Sequence, residues 1–550
     1  MRIVRICLGV LLLGVVSSCA FAQEPPKRKL IELGWDIPTT EYISKHWQEM
    51  EANAPFDGII YNLVAENDEG AKVESQQLFT ADPWKQEWFE TCIQDLKSCK
   101  FQRYHNNFIR INFFPTPFDW TDEECWKNVC EKARICAWAA RQTSGGLCFD
   151  FESYGAHMFK HDPSTGRSFD ESKALARQRG AEMFGAICKE YPDVVVLCLF
   201  MNTVNFAAGR SENPDFILLD AYYGLLPSFI DGMLDVVDPA TTLVEGCEDG
   251  YIMNGTAQYN RAACDILLAS GPAHRLVSPE NRQKYRTQVQ AGFGFYLDMY
   301  ANPEGHFYYR GPEPGETRFD RLMANLQAAW NAADEYVWVY GEQKSWWPPE
   351  NVESDDDWES WEEALPGIRD FIFRLSNPKI AMQAFKERVV NDPNAVNLCV
   401  NGDFSDLAEN GMPASWTTWQ METLPPGEFA ARAGVAVLKG VRNGCFLQSI
   451  EGTPGESFLI TGKMQTKGDC FGVVRARWQD SEGNWVNEEL DVTIFPDYNK
   501  RDKKGYVEIT GNVVVPEGAR YLLLLLSASG IDSKGIVGFD DIKVYSYKKR

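Results

Sequence analysis

The sequence is poor in the residues and motifs on which metal, nucleotide and serine chemistry depend. It contains six histidines in 550 residues, and its cysteines form neither a CxxC pair nor a His–Cys spacing typical of zinc. A phosphate-binding loop, a GxGxxG fingerprint after a strand and a GxSxG nucleophile elbow are all absent. These absences argue against zinc and nucleotide chemistry, and they leave a peptidase or esterase without a motif for its nucleophile and base.

Positive charge is also scarce. The chain has 54 Lys and Arg residues against 78 Asp and Glu residues, which gives a formal charge of −24. This balance disfavours nucleic acid and anionic membrane surfaces as partners. It disfavours very acidic polysaccharides as well, because the sequence contains no long basic patch.

Long apolar runs are limited to the amino terminus. Arg2 and Arg5 precede an apolar run over 6–16, and Ala20-Phe21-Ala22 forms a small-x-small cleavage site. We therefore predict a signal peptide over 1–22 and a secreted or periplasmic protein. The run is too short to span a membrane, and no other stretch is long enough. A competing interpretation takes 16–19 as a lipobox, with Cys19 as a lipidated anchor.

The cysteines do not indicate a disulfide framework. Fifteen are present, two of them in the predicted signal peptide, so the remaining number is odd. Several lie in apolar strand-like or helix-like runs, which is typical of small buried hydrophobic residues. Local pairs between Cys125 and Cys130, or between Cys92 and Cys99, remain open.

Apolar strand-like runs alternate with helix-like segments from residue 30 to about 375. This alternation predicts parallel β/α units, and eight such strands predict an α/β fold of the (β/α)8 TIM-barrel type. Residues 216–223 are ambiguous, and we favour a helix, which places Glu245 after the sixth strand rather than the seventh. The predicted strands are 30–35, 58–62, 108–114, the run that ends in Asp150 and Glu152, 194–200, 242–244, 292–297 and 336–340.

The character of the chain changes near residue 397. Short β-rich runs separated by Gly, Pro and Asp turns predict an all-β sandwich over 397–550. Residues 377–396 are predicted to form a helical linker. The preceding barrel domain is predicted to cover 23–376.

The stretch 145–155 is the strongest candidate for chemistry. Its apolar run ends in Asp150 and Glu152, which share one face because residues i and i+2 of a strand point the same way. In a parallel barrel, the carboxyl ends of the strands form the active-site rim. Two close carboxylates raise the pKa of one of them, which suits it to donate a proton near neutral pH. The alternative is an acid pair that caps the next helix or binds a structural cation.

Further acids and aromatic residues follow the other predicted strands. Glycoside hydrolysis needs two carboxylates, one protonated and one ionised, and no cofactor. We expect Glu152 to be the general acid/base, Glu245 the nucleophile or base, and Asp150 a tuning or nucleophilic carboxylate. Glu248 and Glu342 are further candidates for the catalytic carboxylates. The candidate substrate-binding residues of the barrel are Trp35, Asp36, Tyr154, Glu342 and Trp346.

The barrel segment resembles TIM-barrel glycoside hydrolases in outline. The D-x-E at 150–152 is similar to the end of the fourth-strand signature DxxDxDxE of family 18 chitinases, in which the last Glu is the acid. Here Gly and Cys replace the first two Asp residues of that signature. Clan A hydrolases carry an acid/base Glu after strand four and a nucleophile Glu after strand seven. Glu152 and Glu245 would fill these roles under the alternative strand count, although Phe151 replaces the usual Asn.

The carboxyl-terminal segment resembles carbohydrate-binding modules of families 4 and 9. The opening NLCVNGDF at 397–404 and the ending GFDDIKV at 538–544 are similar to the first and last strands of these jelly rolls. The resemblance implies a structural calcium near Asp403 and Asp540, since carboxylate oxygens suit that ion. The candidate sugar-stacking residues are Trp416, Trp419, Trp478 and Trp485, of which about half are expected to be core.

The sequence thus predicts a secreted glycoside hydrolase that cleaves O-glycosidic bonds of a polysaccharide or oligosaccharide, joined to a carbohydrate-binding jelly roll. No catalytic cofactor is expected. The alternative is a non-catalytic polysaccharide-binding or surface-scaffold protein with a degenerate barrel. The hydrolase requires two carboxyls that face each other across a cleft, whereas the binding protein would carry its acids dispersed around the rim.

Overall fold

The computed structural model describes residues 28–35, 37–113, 119–152, 157–350, 358–496, 498, 500–530 and 534–547. These residues form two compact units, one ending at Ser376 and the other beginning at Asn377. The predicted signal peptide and Cys19 lie outside the described residues. In the described part of the chain, no helix is long and apolar enough to cross a membrane.

Strands and helices alternate along the first unit. Its strands are β1 (Lys29–Gly34), β2 (Gly58–Tyr61), β3 (Val64–Glu66), β4 (Lys72–Glu74), β5 (Phe108–Asn112), β6 (Gly146–Asp150), β7 (Val195–Cys198), β8 (Thr242–Glu245), β9 (Val289–Ala291), β10 (Phe293–Tyr296) and β11 (Tyr336–Gly341). Its helices are α1 (Thr40–Asn53), α2 (Glu90–Ser98), α3 (Glu123–Gln142), α4 (Phe169–Glu190), α5 (Phe206–Arg210), α6 (Pro214–Leu218), α7 (Leu226–Val236), α8 (Thr256–Leu267), α9 (Pro272–Arg275), α10 (Arg282–Gln288), α11 (Asp298–Ala301), α12 (Arg318–Ala332), α13 (Trp361–Ala364) and α14 (Ile368–Ser376).

Parallel strands of the first unit form a nearly closed barrel. The nine strands follow the order β10-β11-β1-β2-β5-β6-β7-β8-β9, with neighbours hydrogen-bonded in parallel. The two strands at the ends of this order, β9 and β10, are consecutive in the chain with only Gly292 between them. The predicted α/β class is confirmed. β3 and β4 form a separate antiparallel pair.

The ambiguous stretch at 216–223 contains no strand. α6 ends at Leu218, and α7 begins at Leu226. β8 is therefore the sixth barrel strand along the chain, as the favoured interpretation predicted. The seventh-strand position that clan A hydrolases reserve for their nucleophile is not available to Glu245.

One tryptophan, Trp338, lies fully buried in the barrel interior. Residues of a strand alternate between faces, so Trp338 of β11 shares a face with Tyr340, which lines the interior. Its indole N–H reaches past β9 and β10 to donate to the Gly246 carbonyl at 2.8 Å. A Cβ on Gly294 would lie only 2.6 Å from the indole, so glycine is needed where this ring passes.

The second unit consists of one helix and antiparallel strands. Its helix is α15 (Pro378–Val390), and its strands are β12 (Val396–Asn397), β13 (Thr417–Gln420), β14 (Glu428–Arg432), β15 (Val435–Lys439), β16 (Asn443–Glu451), β17 (Ser457–Lys467), β18 (Cys470–Gln479), β19 (Val492–Ile494), β20 (Val507–Val514), β21 (Tyr521–Gly530) and β22 (Ile536–Tyr547). One sheet has the order β14-β15-β22-β17-β20 with β12 beside β22, and the other has the order β13-β16-β21-β18-β19.

The two antiparallel sheets bury a common core. Phe446 and Leu524 of one sheet and Phe458 and Val544 of the other belong to the same buried apolar cluster. The predicted linker residues 378–390 form α15, which lies within this second unit. Lys386 of α15 pairs with Glu508 of β20 at 3.0 Å.

The thiols of the described residues are all free. The pairs left open by the sequence, Cys125 with Cys130 and Cys92 with Cys99, therefore do not form. Most of the thirteen described cysteines are buried, as expected for small apolar residues.

Replacing Gly294 by Ala should destabilise the barrel by about 1–3 kcal/mol, because the rigid indole of Trp338 cannot give way to an added methyl group. The measurement is urea unfolding followed by near-ultraviolet circular dichroism. Gly185→Ala, in α4, is the matched control, since the nearest atom to a Cβ there is a side-chain carbon of Val236 at an ordinary contact distance of 3.8 Å. It should be neutral or stabilising. Equal midpoints for Gly294→Ala and wild type would contradict this account of the barrel interior.

Candidate functional site

A cleft of about 450 Å³ opens at the carboxyl ends of the barrel strands. Its walls come from residues in or just after β1, β5, β6, β7, β8, β10 and β11. Its described lining includes four acids and a single arginine, Arg110. The acids are Asp150, Glu152, Glu248 and Glu342.

Asp150 is buried and fully engaged. Its Oδ2 accepts hydrogen bonds from the Arg110 guanidinium at 2.7 Å and from the Asn112 amide at 3.3 Å. Its Oδ1 accepts the backbone N–H of Glu152 at 3.0 Å. Arg110 and Asn112 project from β5 beside Cys148 and Asp150 of β6, so the register of these two strands brings the groups together. Asp150 is thus placed to hold the backbone that carries Glu152.

Glu248 enters the cleft from the segment after β8. Cys247 has a φ of 39°, in the left-handed region, and a short 3-10 helix follows over Glu248–Ile252. Burial raises the pKa of Glu248 to about 8, and the carboxylates of Glu152 and Asp150 add to the increase. Glu248 therefore retains its proton at neutral pH. The sequence predicts one elevated carboxyl pKa in the cleft, and Glu248 has one.

Tyrosines form one wall of the cleft. The rings of Tyr251 and Tyr340 are parallel to within 10° with centroids 6.0 Å apart, and Tyr296 stacks on Tyr340 at 5.3 Å. Tyr308 meets Tyr296 edge to face at 5.3 Å. Tyr251 also rests on Trp338 inside the barrel, with centroids 5.3 Å apart. The wall is therefore supported from below by the barrel core.

The remaining predicted rim residues have different positions. Trp35 lines the cleft and is 64% exposed. Glu342 also lines it and accepts a hydrogen bond from the Tyr296 hydroxyl at 2.5 Å. Asp36 and Tyr154 lie outside the described residues.

Glu245 does not line the cleft. Alternation along β8 directs its side chain to the face opposite Val244 and Gly246, away from the barrel interior. Its carboxylate accepts hydrogen bonds from the backbone N–H of Met201 at 2.6 Å and from the Thr203 hydroxyl at 2.8 Å. It is 0% exposed, and this burial raises its pKa to about 7. The geometry gives Glu245 a role in holding the segment after β7, in place of the expected role as nucleophile.

Three of the predicted sugar-stacking tryptophans are core residues. Trp346 is buried 5.0 Å from the ring of Phe56 and is not part of the cleft. In the second unit, the indoles of Trp416 and Trp478 are buried and donate to backbone carbonyls. The sequence marked these positions as aromatic but could not show which ring faces solvent.

Trp419 and Trp485 are each 50% exposed, which makes them the accessible pair of the four candidates in this unit. Trp419 lies on the outer face of its sheet, in register with Cys445. Trp485 stacks on Arg477 of β18 at 4.2 Å. Arg477 lies on the same outer face, because the alternating neighbours Ala476 and Trp478 point into the core.

Asp403 and Asp540 lie close enough to interact. Burial raises the pKa of Asp540, and the carboxylates of Asp541 and Asp403 add to the increase. No group of three or more His, Cys, Asp or Glu suited to a metal ion occurs among the described residues. The donor type fits calcium, but the other ligands would have to be backbone or hydroxyl oxygens such as that of Ser405, which bonds to Asp403. A calcium ion here stays a prediction.

Several cleft residues were not anticipated from the sequence. Arg110 could have been identified from the sequence, since it is a charged residue within an otherwise apolar strand. No sequence pattern identifies Tyr251, Tyr296 and Tyr308 as cleft residues, because they come from separate segments that meet only in the fold.

Comparison with known proteins gives limited information. No protein-family model and no curated protein sequence matches the chain. Among solved structures, the chain is similar to the enzymatically active domain of bacteriophage CBA120 tailspike protein 4, with 17% identity and a TM-score of 0.22 over 28% of this chain and 22% of that one. The chain thus spans about a fifth of that structure.

Carbohydrate-binding modules also appear among the similar structures. A CBM4 structure shows 17% identity and a TM-score of 0.21 over 27% of this chain and 99% of that one. The CBM22-1 xylan-binding domain of Paenibacillus barcinonensis Xyn10C shows 15% identity and a TM-score of 0.20 over 28% of this chain and 97% of that one. Similarities of this size carry no functional argument.

Glu248→Gln should change how stability depends on pH. The pKa of Glu248 is about 8 in the folded protein and near 4.5 in the unfolded chain. The contribution of Glu248 to the free energy of unfolding is therefore fully present below pH 4.5 and is lost as the pH rises through 8. Relative to wild type, the variant should gain stability between these values. The gain should reach about 1–2 kcal/mol above pH 8, since Glu248 is only partly buried. Chemical unfolding at pH 4, 7 and 9 measures the difference.

The exposed Glu304→Gln variant, outside the cleft lining, serves as the control and should follow the wild-type pH profile. A constant difference between Glu248→Gln and wild type at all three pH values would show that Glu248 does not retain its proton in the folded state.

Proposed function

We propose that this chain is a secreted glycoside hydrolase whose barrel cleft cleaves O-glycosidic bonds of a polysaccharide or oligosaccharide. The observation that carries the proposal is the placement of Glu248, whose pKa is raised by burial and neighbouring carboxylates, beside Glu152 in a tyrosine-walled cleft. In this proposal the barrel is of the TIM type, with β9 and β10 acting as a single seventh strand interrupted at Gly292.

Glu248 takes the part of the general acid. A glycosidic oxygen needs a proton as its bond to the anomeric carbon breaks, and a carboxyl with a pKa of about 8 still carries that proton near neutral pH. The neighbouring carboxylates and partial burial supply the elevated pKa, as in other paired-carboxylate sites.

Glu152 takes the part of the second carboxylate. Ionised, it stabilises the positive charge that develops on the sugar ring, and it either attacks the anomeric carbon or removes a proton from the attacking water. Asp150 cannot share this role easily, because Arg110, Asn112 and the Glu152 backbone already occupy its oxygens. Asp150 positions Glu152, and its negative charge helps to raise the pKa of Glu248.

Aromatic rings hold the sugar. Trp35 and the wall of Tyr251, Tyr296, Tyr308 and Tyr340 offer apolar faces and hydroxyl groups, which suit a ring whose faces are apolar and whose edges are hydroxylated. Glu342, tied to Tyr296, provides an exposed acceptor for sugar hydroxyls.

Reducing-sugar release from a panel of neutral polysaccharides tests the hydrolase. Wild type should release sugar, and Glu248→Gln and Glu152→Gln should each lower kcat by about 10²–10⁴-fold, since each removes a proton-transfer or charge-stabilising group. The value of kcat/KM should fall as the pH rises through about 8, where Glu248 loses its proton. Glu304→Gln should retain wild-type rates.

Two outcomes would count against these roles. Full activity in Glu248→Gln, with the alkaline decline unchanged, would remove Glu248 as the acid. No sugar release from any polymer by wild type, with binding retained, would favour the non-catalytic alternative.

Polysaccharide binding by the second unit is the second candidate function. It is favoured by the exposed rings of Trp419 and Trp485 on the outer face of one sheet. Trp419 belongs to β13, and Trp485, in the segment after β18, stacks on Arg477 of β18. β13 and β18 are three strands apart in the sheet order, which corresponds to roughly 14 Å. Such a surface would tether the barrel to a polymer and raise the local substrate concentration.

Trp419→Ala and Trp485→Ala should each weaken retention on an insoluble neutral polysaccharide by about tenfold, because each removes a stacking platform. The measurement is a pull-down isotherm with the full chain. Leu407→Ala, at a residue that is 54% exposed elsewhere in the unit, is the control and should bind as wild type. Unchanged isotherms for both Trp variants would exclude this face as the binding surface.

A further inference from the structure

A second groove lies entirely within the second unit, away from the tryptophans. It has a volume of about 760 Å³, within the range of roughly 300–1,000 Å³ that is typical of ligand sites. Its floor is the outer face of β17 and β20, one wall is the start of α15, and the other wall is the chain before β20.

The groove gathers positive charge from distant parts of an acidic chain. Among the residues that the structure describes, four cations line it, against two acids, Asp502 and Glu508. The cations are Lys379 of α15, Lys463 of β17, and Lys500 and Arg501 of the chain before β20. Because these cations come from three separate segments, no continuous basic stretch of the sequence predicts the patch.

The two acids of the groove are already engaged. Glu508 pairs with Lys386 of α15 at 3.0 Å. The carboxylate of Asp502 accepts the backbone N–H groups of Lys504 and Tyr506, and these bonds lower its pKa. Neither acid neutralises Lys500 or Arg501.

Lys500 and Arg501 keep their charge available. Within the described part of the chain, the side-chain hydrogen bonds of Arg501 go to neutral oxygens, the Gly505 carbonyl at 3.0 Å and the Thr466 hydroxyl at 3.1 Å. Lys500 is exposed and has no ion-pair partner among the described residues. Lys463 is shared, since its Nζ lies 3.4 Å from the Asp541 carboxylate.

Aromatic rings lie beside these charges. Phe495 lines the groove and is 71% exposed, and Tyr506 lines it from the start of β20. Cationic groups next to an exposed ring match a sugar that carries carboxylate or sulfate groups. The cations pair with the anionic substituent, and the ring stacks on the sugar face.

We propose that this groove binds a segment of an acidic glycan, a chain of uronate or sulfated sugars. The net charge of −24 repels such a chain at long range. At physiological ionic strength, however, charges beyond about 8 Å are largely screened, so the local patch decides short-range binding. This site is separate from the barrel cleft and from the Trp419 and Trp485 face, so its test is independent of the proposed hydrolysis.

The test is isothermal titration of the full chain with tetragalacturonate, a chondroitin sulfate tetrasaccharide and neutral cellotetraose. At least one acidic ligand should bind, and binding should weaken at least tenfold between 50 and 500 mM NaCl. The two acidic arms distinguish a carboxylate from a sulfate as the recognised group. Cellotetraose should not compete with the acidic ligand for this site.

Variants locate the binding. Lys500→Glu should weaken it at least fivefold, and Lys500→Glu combined with Arg501→Glu at least tenfold. Phe495→Ala should also weaken it, which tests the stacking contribution. Lys439→Glu, an equal charge change at an exposed lysine of β15, should bind within twofold of wild type. Thermal unfolding of each variant checks that the fold is kept.

Three results would overturn the proposal. The first is no binding of either acidic tetrasaccharide. The second is binding that Lys500→Glu and Phe495→Ala leave unchanged. The third is an oligothymidylate that binds as tightly and depends equally on Lys500, which would assign the groove to polyanions in general.

Discussion

The indole of Trp338 inside the barrel is the contact on which the functional geometry depends. It occupies the interior beneath the cleft, donates to the Gly246 carbonyl and supports the ring of Tyr251. A tryptophan of this size leaves no space for a side chain at Gly294, and a Cβ at Gly246 would meet the Cys198 carbonyl oxygen at 2.3 Å as well as the indole nitrogen at 2.8 Å. The segment that presents Glu248 starts directly above this contact, so core packing and site geometry share one constraint.

Electrostatics of the cleft follow from how its acids are partnered. Asp150 is tied to Arg110, whereas the pKa of Glu248 is raised by burial and by the neighbouring carboxylates of Glu152, Asp150 and Asp249. Glu245 is also a buried acid, but its carboxylate is stabilised by hydrogen-bond donors. It lies behind the barrel wall and is satisfied by backbone and hydroxyl donors, which suits structure rather than chemistry.

Much of the barrel could be predicted because its signals are local. Apolar runs and turn residues identified the strands, and helical spacing correctly decided 216–223 against a strand. The D-x-E spacing placed Asp150 and Glu152 in the cleft.

The sheet face on which a side chain lies, and whether that side chain is buried, were harder to predict. Glu245 follows a strand as an active-site acid would, but the alternation along β8 turns it outward. Trp416 and Trp478 are buried because of pairings between strands far apart in sequence. The groove around Lys500 depends on three segments and had no local signature at all.

The position of Glu248 beside Glu152 has a consequence for how one side chain could serve two steps. A carboxylate that becomes esterified loses its negative charge. In the proposed hydrolase, a bond from Glu152 to the sugar would remove one of the three carboxylate charges that raise the pKa of Glu248, the others being those of Asp150 and Asp249. The pKa of Glu248 would then fall after it had given up its proton, which would leave it ionised and able to deprotonate the incoming water. The charge on one residue would thereby switch its neighbour from acid to base without any movement of the backbone.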